Sequence, residues 1–379
     1  MHDAVTVIGL MSGTSMDGID VALLSTDGER LTDRGRGLSY PYPLDTRDRV
    51  REATKAAWRI WGAHPKSQAP SPEDMALLEA VEREVTELHA DAITDFLDAF
   101  GISRSEINLI GFHGQTVFHD ASRRITRQLG DGPLLAQLAR IDVVHDFRSA
   151  DIAAGGQGAP LVPAYHRAVS DEVGFEKPLA VVNIGGIANV TWIGADGKVI
   201  AFDIGPGNCM IDEWMQQEAG LPFDRNGEAA LRGTVDKDVL KRLASHPYYR
   251  RKPPKSLDRY DLPGLSEREL SLEDGAATLV ALAAREIAAS AEYLPQRPRR
   301  WVLAGGGAKN PAIVQAIVEA VSEPVTSADE MGWSAEHFEA EAFGFLAVRA
   351  LRKLPLTFPS TTGVPRPMTG GRLARAPRR

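Results

Sequence analysis

Val5-Thr6-Val7-Ile8-Gly9-Leu10-Met11-Ser12-Gly13-Thr14-Ser15-Met16-Asp17-Gly18 begins as an apolar run and breaks into a polar glycine turn, and the chain turns apolar again at Val21-Ala22-Leu23-Leu24. That pattern reads as strand, turn, strand. It returns about 175 residues later as Leu179-Ala180-Val181-Val182-Asn183-Ile184, Gly185-Gly186, and Ala188-Asn189-Val190-Thr191-Trp192-Ile193. The two copies share pattern more than identity, and together they predict a duplicated fold.

Working outward, apolar residues between Glu73 and Phe100 recur at helical spacing with charges between them, so a long surface helix is expected there. Helices also fit Gly275 to Leu294, Pro311 to Val321 and Ser334 to Leu351, with Asn310 as cap and Pro311 in the first turn. Strands fit Ile107 to Phe112, Ile141 to Val144, Val199 to Asp203 and Trp301 to Ala304. After Val199–Asp203 comes Gly205-Pro206-Gly207, with Asn208 placed to cap the following helix. Strands alternating with helices imply an α/β protein, and the doubled unit implies two similar lobes with a central cleft for ligands. The expected division is 1–150 plus 350–379 for the first lobe and 151–349 for the second. The tail from Pro365, rich in proline, glycine and arginine, reads as a poorly ordered end.

Composition narrows the function. The 379 residues carry a formal net charge of −8, which argues against general attraction to nucleic acid. No apolar run reaches the ~18 residues of a membrane span, and Met1-His2-Asp3-Ala4 lacks the basic flank of a signal peptide. One cysteine, Cys209, makes no internal disulfide and suits a reducing compartment. A cytoplasmic protein is expected.

Met11 to Asp20 sets small residues and hydroxyls on a turn whose backbone N–H groups can surround phosphate oxygens; an ordinary hairpin turn is the plainer alternative. Repetition at Gly185-Gly186 favours the phosphate reading. Gly305-Gly306-Gly307 offers bare backbone at a strand end for a nucleobase and ribose, or simply a packed turn. There is no Walker A string, no protein-kinase H-R-D or D-F-G string, and no H-E-x-x-H or C-x-x-C pair. Asp203, ending an apolar strand before a glycine loop, is the candidate catalytic carboxylate; capping its own loop is the competing role. By residue type alone His113 and His119 read as ordinary polar contacts. Asp151 to Pro163 reads as a shaped loop near a ligand.

The strings Gly9 to Gly18, His113-Gly114-Gln115-Thr116, Asp151 to Pro163, Asn183-Ile184-Gly185-Gly186 and Phe202-Asp203-Ile204-Gly205-Pro206-Gly207-Asn208, in order over nearly the whole chain, resemble the anhydro-N-acetylmuramic acid kinases. The resemblance implies a two-lobed fold of the actin, Hsp70 and sugar-kinase (ribonuclease H-like) type, a homodimer, ATP with Mg²⁺, and peptidoglycan sugar recycling. It implies ATP binding by Gly13, Thr14, Ser15, Met16, Asp17, Gly18, Ile19 and Asp20, with Gly185, Gly186, Asn208, Gly305, Gly306 and Gly307 completing the nucleotide site. It implies Asp203 as catalytic base and His113, Gln115, Thr116 and Glu339 facing the sugar. Where the wider superfamily places aspartates, this chain has Gly9 and Asn183, so direct Mg²⁺ ligands stay unassigned and contacts through water are expected. Glu341 and the stretch Pro253 to Asp258 depart from the family's usual residues. A kinase for another anhydro sugar such as levoglucosan, or a noncatalytic sugar or nucleotide sensor, are the competing readings.

Overall fold

The computed structural model describes residues 3–13, 16–62, 71–257, 262–266, 268–333 and 337–377. In chain order it holds β1 Val5–Ser12, β2 Gly18–Thr26, β3 Leu31–Pro41, α1 Leu44–Trp61, α2 Pro72–Phe100, β4 Leu109–Asp120, β5 Ile125–Leu129, α3 Gly132–Ala139, β6 Val143–His145, α4 Ser149–Ala153 and α5 Pro163–Val173. It continues with β7 Leu179–Ile184, β8 Ile187–Ile193, β9 Val199–Pro206, α6 Cys209–Ala219, α7 Glu228–Arg232, α8 Lys237–Leu243, α9 Leu272–Ala289, β10 Arg300–Ala304, α10 Pro311–Ala320, β11 Val325–Ser327, α11 Phe338–Leu351 and β12 Arg372–Ala374.

The first sheet runs β12-β6-β4-β1-β2-β3 with β5 on β4, and the second runs β11-β10-β7-β8-β9. The correspondence is strand for strand. β1–β2 and β2–β3 are antiparallel while β1–β4 and β4–β6 are parallel. Likewise β7–β8 and β8–β9 are antiparallel while β7–β10 and β10–β11 are parallel. The expected duplication is therefore present in the strand order, and the fold is α/β with two similarly ordered sheets.

The chain divides into unit 1, Met1–Glu172 with His337–Arg379, and unit 2, Val173–Glu336. Residues 151–172 and 337–349, expected with the second lobe, lie with unit 1. Asp151 explains the first of these, since its carboxylate accepts from the Thr362 hydroxyl at 2.6 Å and from the Gly158 N–H at 2.7 Å. The second follows from α11, which lies against the backbone of β1 and β4. A Cβ on Gly9 would come 1.8 Å from the Ala340 carbonyl oxygen, and one on Gly111 2.1 Å from that of Phe343. Glycine at these two strand positions is what lets the helix sit down.

Alternation on β1 supplies the other face. Ile8 and Leu10 are fully buried in a cluster with Ile93, Phe96 and Leu97 of α2 and Leu135 of α3, each such side chain contributing about 1.5–3 kcal/mol on burial. The long helix α2 starts on a capping box, Ser71 with Asp74, and stops at Gly101, whose φ of 63° is left-handed. In unit 2 a single cluster joins Val182, Val190 and Phe202 of the sheet to Trp214 of α6, Leu282 of α9 and Ile313 of α10. Asn310 caps α10 as expected, its side-chain oxygen accepting from the Ala312 N–H at 3.0 Å.

Two expectations are corrected. The tail is ordered: Thr357 bridges Met368, and β12 pairs antiparallel with β6, so backbone hydrogen bonds offset its unpromising composition. Arg378 and Arg379 lie outside the described residues, as does Ser334, the expected start of the last helix. Asn208 precedes α6 but makes no side-chain cap bond, because its amide donates instead to the Ile184 carbonyl at 3.3 Å.

Candidate active site

In unit 2, Asp203 lies where β9 is irregular. Asn189 faces Asp203 and Ala188 faces Gly205, which leaves Ile204 as an extra residue in a bulge. Such bulges bend a strand and re-aim its side chains. Asp203 is only 8% exposed and is held at three points. Its N–H donates to the Lys255 carbonyl at 3.1 Å, its carbonyl accepts from the Tyr248 hydroxyl at 2.8 Å, and its carboxylate Oδ2 accepts from the Leu257 N–H at 3.0 Å. A carboxylate so fixed is preorganised to take a proton from a group brought to it.

Around it stand Asn183, already noted in the sequence, and two residues that sequence reasoning did not single out, Asn189 and Lys255. Asn183, Asn189 and Asp203 pair across β7, β8 and β9 and so share one face of the sheet. The side-chain oxygen of Asn189 is buried without a hydrogen-bond partner among the described residues. Lys255 is buried, its Nζ 4.7 Å from the centre of the Tyr248 ring, 5.0 Å from Tyr293 and 5.7 Å from Phe202. Burial pushes its ammonium down to about 8 against the pull of Glu286 and Asp203, and burial pushes the Glu286 carboxyl up. The polar row was readable in outline, since Asn183 and Asn189 interrupt otherwise apolar runs. Lys255 gave no such signal, because most of its partners come from segments about 50 residues before it and about 30–40 after it.

The glycines of unit 2 meet beside this row. Gly207 and Cys209 donate their N–H groups to the Gly186 carbonyl at 2.9 and 3.1 Å, and Asn208 donates its own to Gly185 at 2.8 Å. A Cβ on Gly305, at φ 80°, would come 2.4 Å from the Asn183 side-chain oxygen, and one on Gly307 2.3 Å from the Ile184 side chain. Packing therefore accounts for those two. It does not account for Gly185 or Gly306, where the nearest atoms to an added Cβ are 3.6 and 3.8 Å away and φ is ordinary. Bare backbone that leaves room for an added atom is what a phosphate- or ribose-bearing ligand can approach. Gly185, Gly186, Asn208, Gly305, Gly306 and Gly307 are thus brought together.

Unit 1 carries the first glycine turn, of which Thr14 and Ser15 lie outside the described residues. Met16, with φ 55°, donates its N–H to the Gly13 carbonyl at 3.1 Å, and Gln115 donates its side-chain amide to the same carbonyl at 2.9 Å. Asp17 accepts the Tyr42 N–H at 2.9 Å, and a Cβ on Gly18 would strike the Tyr40 carbonyl at 2.4 Å. Asp20 accepts the Ser39 hydroxyl at 2.6 Å, while Ile19 is buried in the core. Below the turn, the Tyr42 hydroxyl donates to Ser12 Oγ at 3.1 Å and Ser12 lies 2.7 Å from Nε2 of buried His89. Burial lowers that imidazole to about 4, so it is neutral and accepts from Ser12.

His113, Gln115 and Thr116 follow one another on β4. His113 is buried, donates Nδ1–H to the Gly114 carbonyl at 2.7 Å and accepts from Arg148 at 2.9 Å on Nε2, so both ring nitrogens are engaged within unit 1. Burial, then the Arg148 charge, pushes its titration well down. The Gln115 side-chain oxygen is buried with no partner among the described residues, and Thr116 accepts from Gln128 at 3.3 Å. Glu339 lies half-buried in the first turn of α11. Two residues on, Glu341 is fully buried, accepting from the Tyr165 hydroxyl and from the Gly35 N–H at 3.1 Å. This explains how a carboxylate replaces the usual apolar residue there. The Asp151–Pro163 loop is tied to its own unit, with Gln157 donating to the Thr362 carbonyl at 2.7 Å and Arg148 to that of Gly158 at 2.7 Å.

Among the described residues no group of three or more His, Cys, Asp or Glu is placed to hold a metal ion, and no helix is long and apolar enough to cross a membrane.

The family model described as anhydro-N-acetylmuramic acid kinase matches residues 5–376. The chain belongs to that family. Curated anhydro-N-acetylmuramic acid kinases are similar over their whole length: that of Nitrobacter winogradskyi is 48% identical over 98% of this chain and 100% of its own. That of Methylobacterium nodulans is 48% identical over 97% and 99%, and that of Rhodopseudomonas palustris 46% identical over 98% and 99%. This member of the anhydro-N-acetylmuramic acid kinase family thus sets Asp203 on a bulged strand beside the clustered glycines of unit 2.

Proposed function

We propose that this protein is an ATP-dependent kinase that hydrolytically opens 1,6-anhydro-N-acetylmuramic acid and phosphorylates O6, giving N-acetylmuramic acid 6-phosphate and ADP in peptidoglycan sugar recycling. The observation that carries this reading is Asp203, buried and held by Lys255, Tyr248 and Leu257 next to backbone left bare at Gly185 and Gly306. Family membership supplies the substrate.

In the anhydro sugar O6 is tied to the anomeric carbon and has no hydroxyl proton. An ordinary sugar-kinase base would find nothing to remove. Water therefore attacks C1, the C1–O6 bond breaks, and O6 takes the γ-phosphoryl group as ADP leaves. Asp203 receives the proton of the attacking water. The arrangement parallels an inverting glycosidase, with phosphorus in place of the proton on the departing oxygen.

Gly185, Gly186, Asn208, Gly305, Gly306 and Gly307 would hold the nucleotide in unit 2, and Gly13, Thr14, Ser15, Met16, Asp17, Gly18, Ile19 and Asp20 the phosphates from unit 1. His113, Gln115, Thr116 and Glu339 are proposed to form the sugar side. For His113 and Gln115 the support is positional: one orients the β4 backbone and the other fastens the Gly13 turn. Mg²⁺ fits a site without a protein cage, because it commonly keeps several waters and rides on nucleotide phosphates, where it supplies charge neutralisation. We further propose a cytoplasmic homodimer.

Turnover of the anhydro sugar with Mg-ATP in ¹⁸O-water is the test. The label is expected at the anomeric hydroxyl of the product. Label in the phosphate ester, or ADP release independent of sugar, overturns the reading.

A further inference from the structure

Three of the contacts that fix Asp203 come from the segment that carries Lys255. Its N–H is bonded to the carbonyl of Lys255 and its carboxylate to the N–H of Leu257, two residues on. Its carbonyl is held by the hydroxyl of Tyr248, whose ring is the nearest aromatic face to Lys255 Nζ, at 4.7 Å. Its chain neighbour Phe202 gives a second face and Tyr293 a third. Tyr293 closes the arrangement by donating its hydroxyl to the Tyr249 carbonyl at 2.7 Å, and the Tyr248 and Tyr249 carbonyls lie 3.5 Å from the ammonium. A cation among ring faces and carbonyl oxygens is attracted by all of them, and a neutral amine by few.

We infer that Lys255 is a positioning residue of this enzyme, whose caged positive charge holds the 248–257 segment on Asp203 and keeps that carboxylate aimed. The inference rests on the kinase reading above and adds to it the residue that arms the base.

The charged groups acting on Lys255 are Asp203 of β9, Glu286 of α9 and Arg251 of its own segment, and the rings of Tyr248 and Tyr293 face it; Arg285 reaches it through a 3.2 Å ion pair with Glu286. Burial lowers the Lys255 ammonium to about 8, so the charge is present below that pH and lost above it. Because coupling is reciprocal, the carboxylate that favours the ammonium is itself favoured by it.

The test compares Lys255→Arg and Lys255→Met with the wild type in kcat–pH profiles and in KM for ATP. The wild type is expected to lose kcat through an alkaline limb near 8. Lys255→Arg, charged throughout, moves that limb upward, whereas Lys255→Met lowers kcat about tenfold to a hundredfold with KM for ATP little changed. An unmoved limb in Lys255→Arg, or wild-type kcat in Lys255→Met, overturns the inference. A second measurement stands apart from turnover and from the Lys255 variants: the Lys255 resonance in protein carrying ¹³C-labelled lysine, titrated in wild type and Asp203→Asn. A lower Lys255 pKa in Asp203→Asn supports the coupling and an unchanged one overturns it. Failure of the wild type to convert the anhydro sugar would refute the kinase reading and leave this second result readable.

Discussion

The two units repeat one strand order but treat the strand next to the glycine turn differently. In unit 1, β1 gives up its side chain at Gly9 so that α11 can lie on the bare backbone, and a Cβ there would meet a carbonyl oxygen at 1.8 Å. In unit 2 the same stretch of the repeat carries Asn183, which with Asn189 and Asp203 forms a polar row. One copy of the repeat gives this position to packing, and the other gives it a polar side chain. The absence of an aspartate from β1 thus has a steric reason: no side chain of any kind fits beneath that helix.

The largest test of this contrast is Asp203→Asn. It is expected to lower kcat by about 10²–10⁴-fold with ATP affinity and thermal unfolding near those of the wild type, measured by ADP release, calorimetry and circular dichroism. Near-normal turnover would remove unit 2's claim to the chemistry. Next in size, Gly9→Ala should cost at least about 3 kcal/mol in urea unfolding, as overpacking against backbone does. Its counterpart Gly185→Ala, where an added Cβ meets its nearest atom at an ordinary 3.6 Å, should change stability by no more than about 0.5 kcal/mol while weakening ATP binding about tenfold, or 1.4 kcal/mol. Equal stability losses in the two variants would erase the distinction.

Acid should separate the units as well. Burial holds His89 and His119 down to about 4 and His166 down to about 3, with His113 also well below its ordinary value, and all four lie in unit 1. Unfolded histidines bind protons below about 6.5, whereas these folded ones resist until about 4 or lower. Their contribution is complete above 6.5 and is lost as the pH falls, at roughly 1.4 kcal/mol per pH unit for each histidine. Hydrogen exchange at pH 5 should therefore open unit 1 peptides before those of unit 2, whose one histidine, His246, is part-exposed. The smallest effect expected is for Asn310→Ala, where loss of the α10 cap costs about 1 kcal/mol without altering turnover.

Much of this was legible beforehand, for identifiable reasons. Alternating and helical apolar periods located β1, β2, β7, β8, α2 and α10, because each buries one continuous face. The glycine clusters marked the turns that meet in unit 2, and Asp203 stood out as a charge ending an apolar strand. What escaped notice depends on contacts distant in sequence. Lys255 acquires its meaning only when Phe202, Tyr248 and Tyr293 surround it. Gln115 reads as a polar strand end until its amide is found on the Gly13 carbonyl. The expectation for the tail failed because β6 offers a partner that composition does not reveal.

That pairing bears on how the protein tolerates handling. The terminal segment at Arg372–Ala374 occupies the outer rim of the first sheet, and removing it would leave the amides and carbonyls of Val143–His145 bare. An unprotected rim is a template for a second molecule to dock onto and aggregate. Trimming or fusing partners at this end should therefore leave every residue through Ala374 in place.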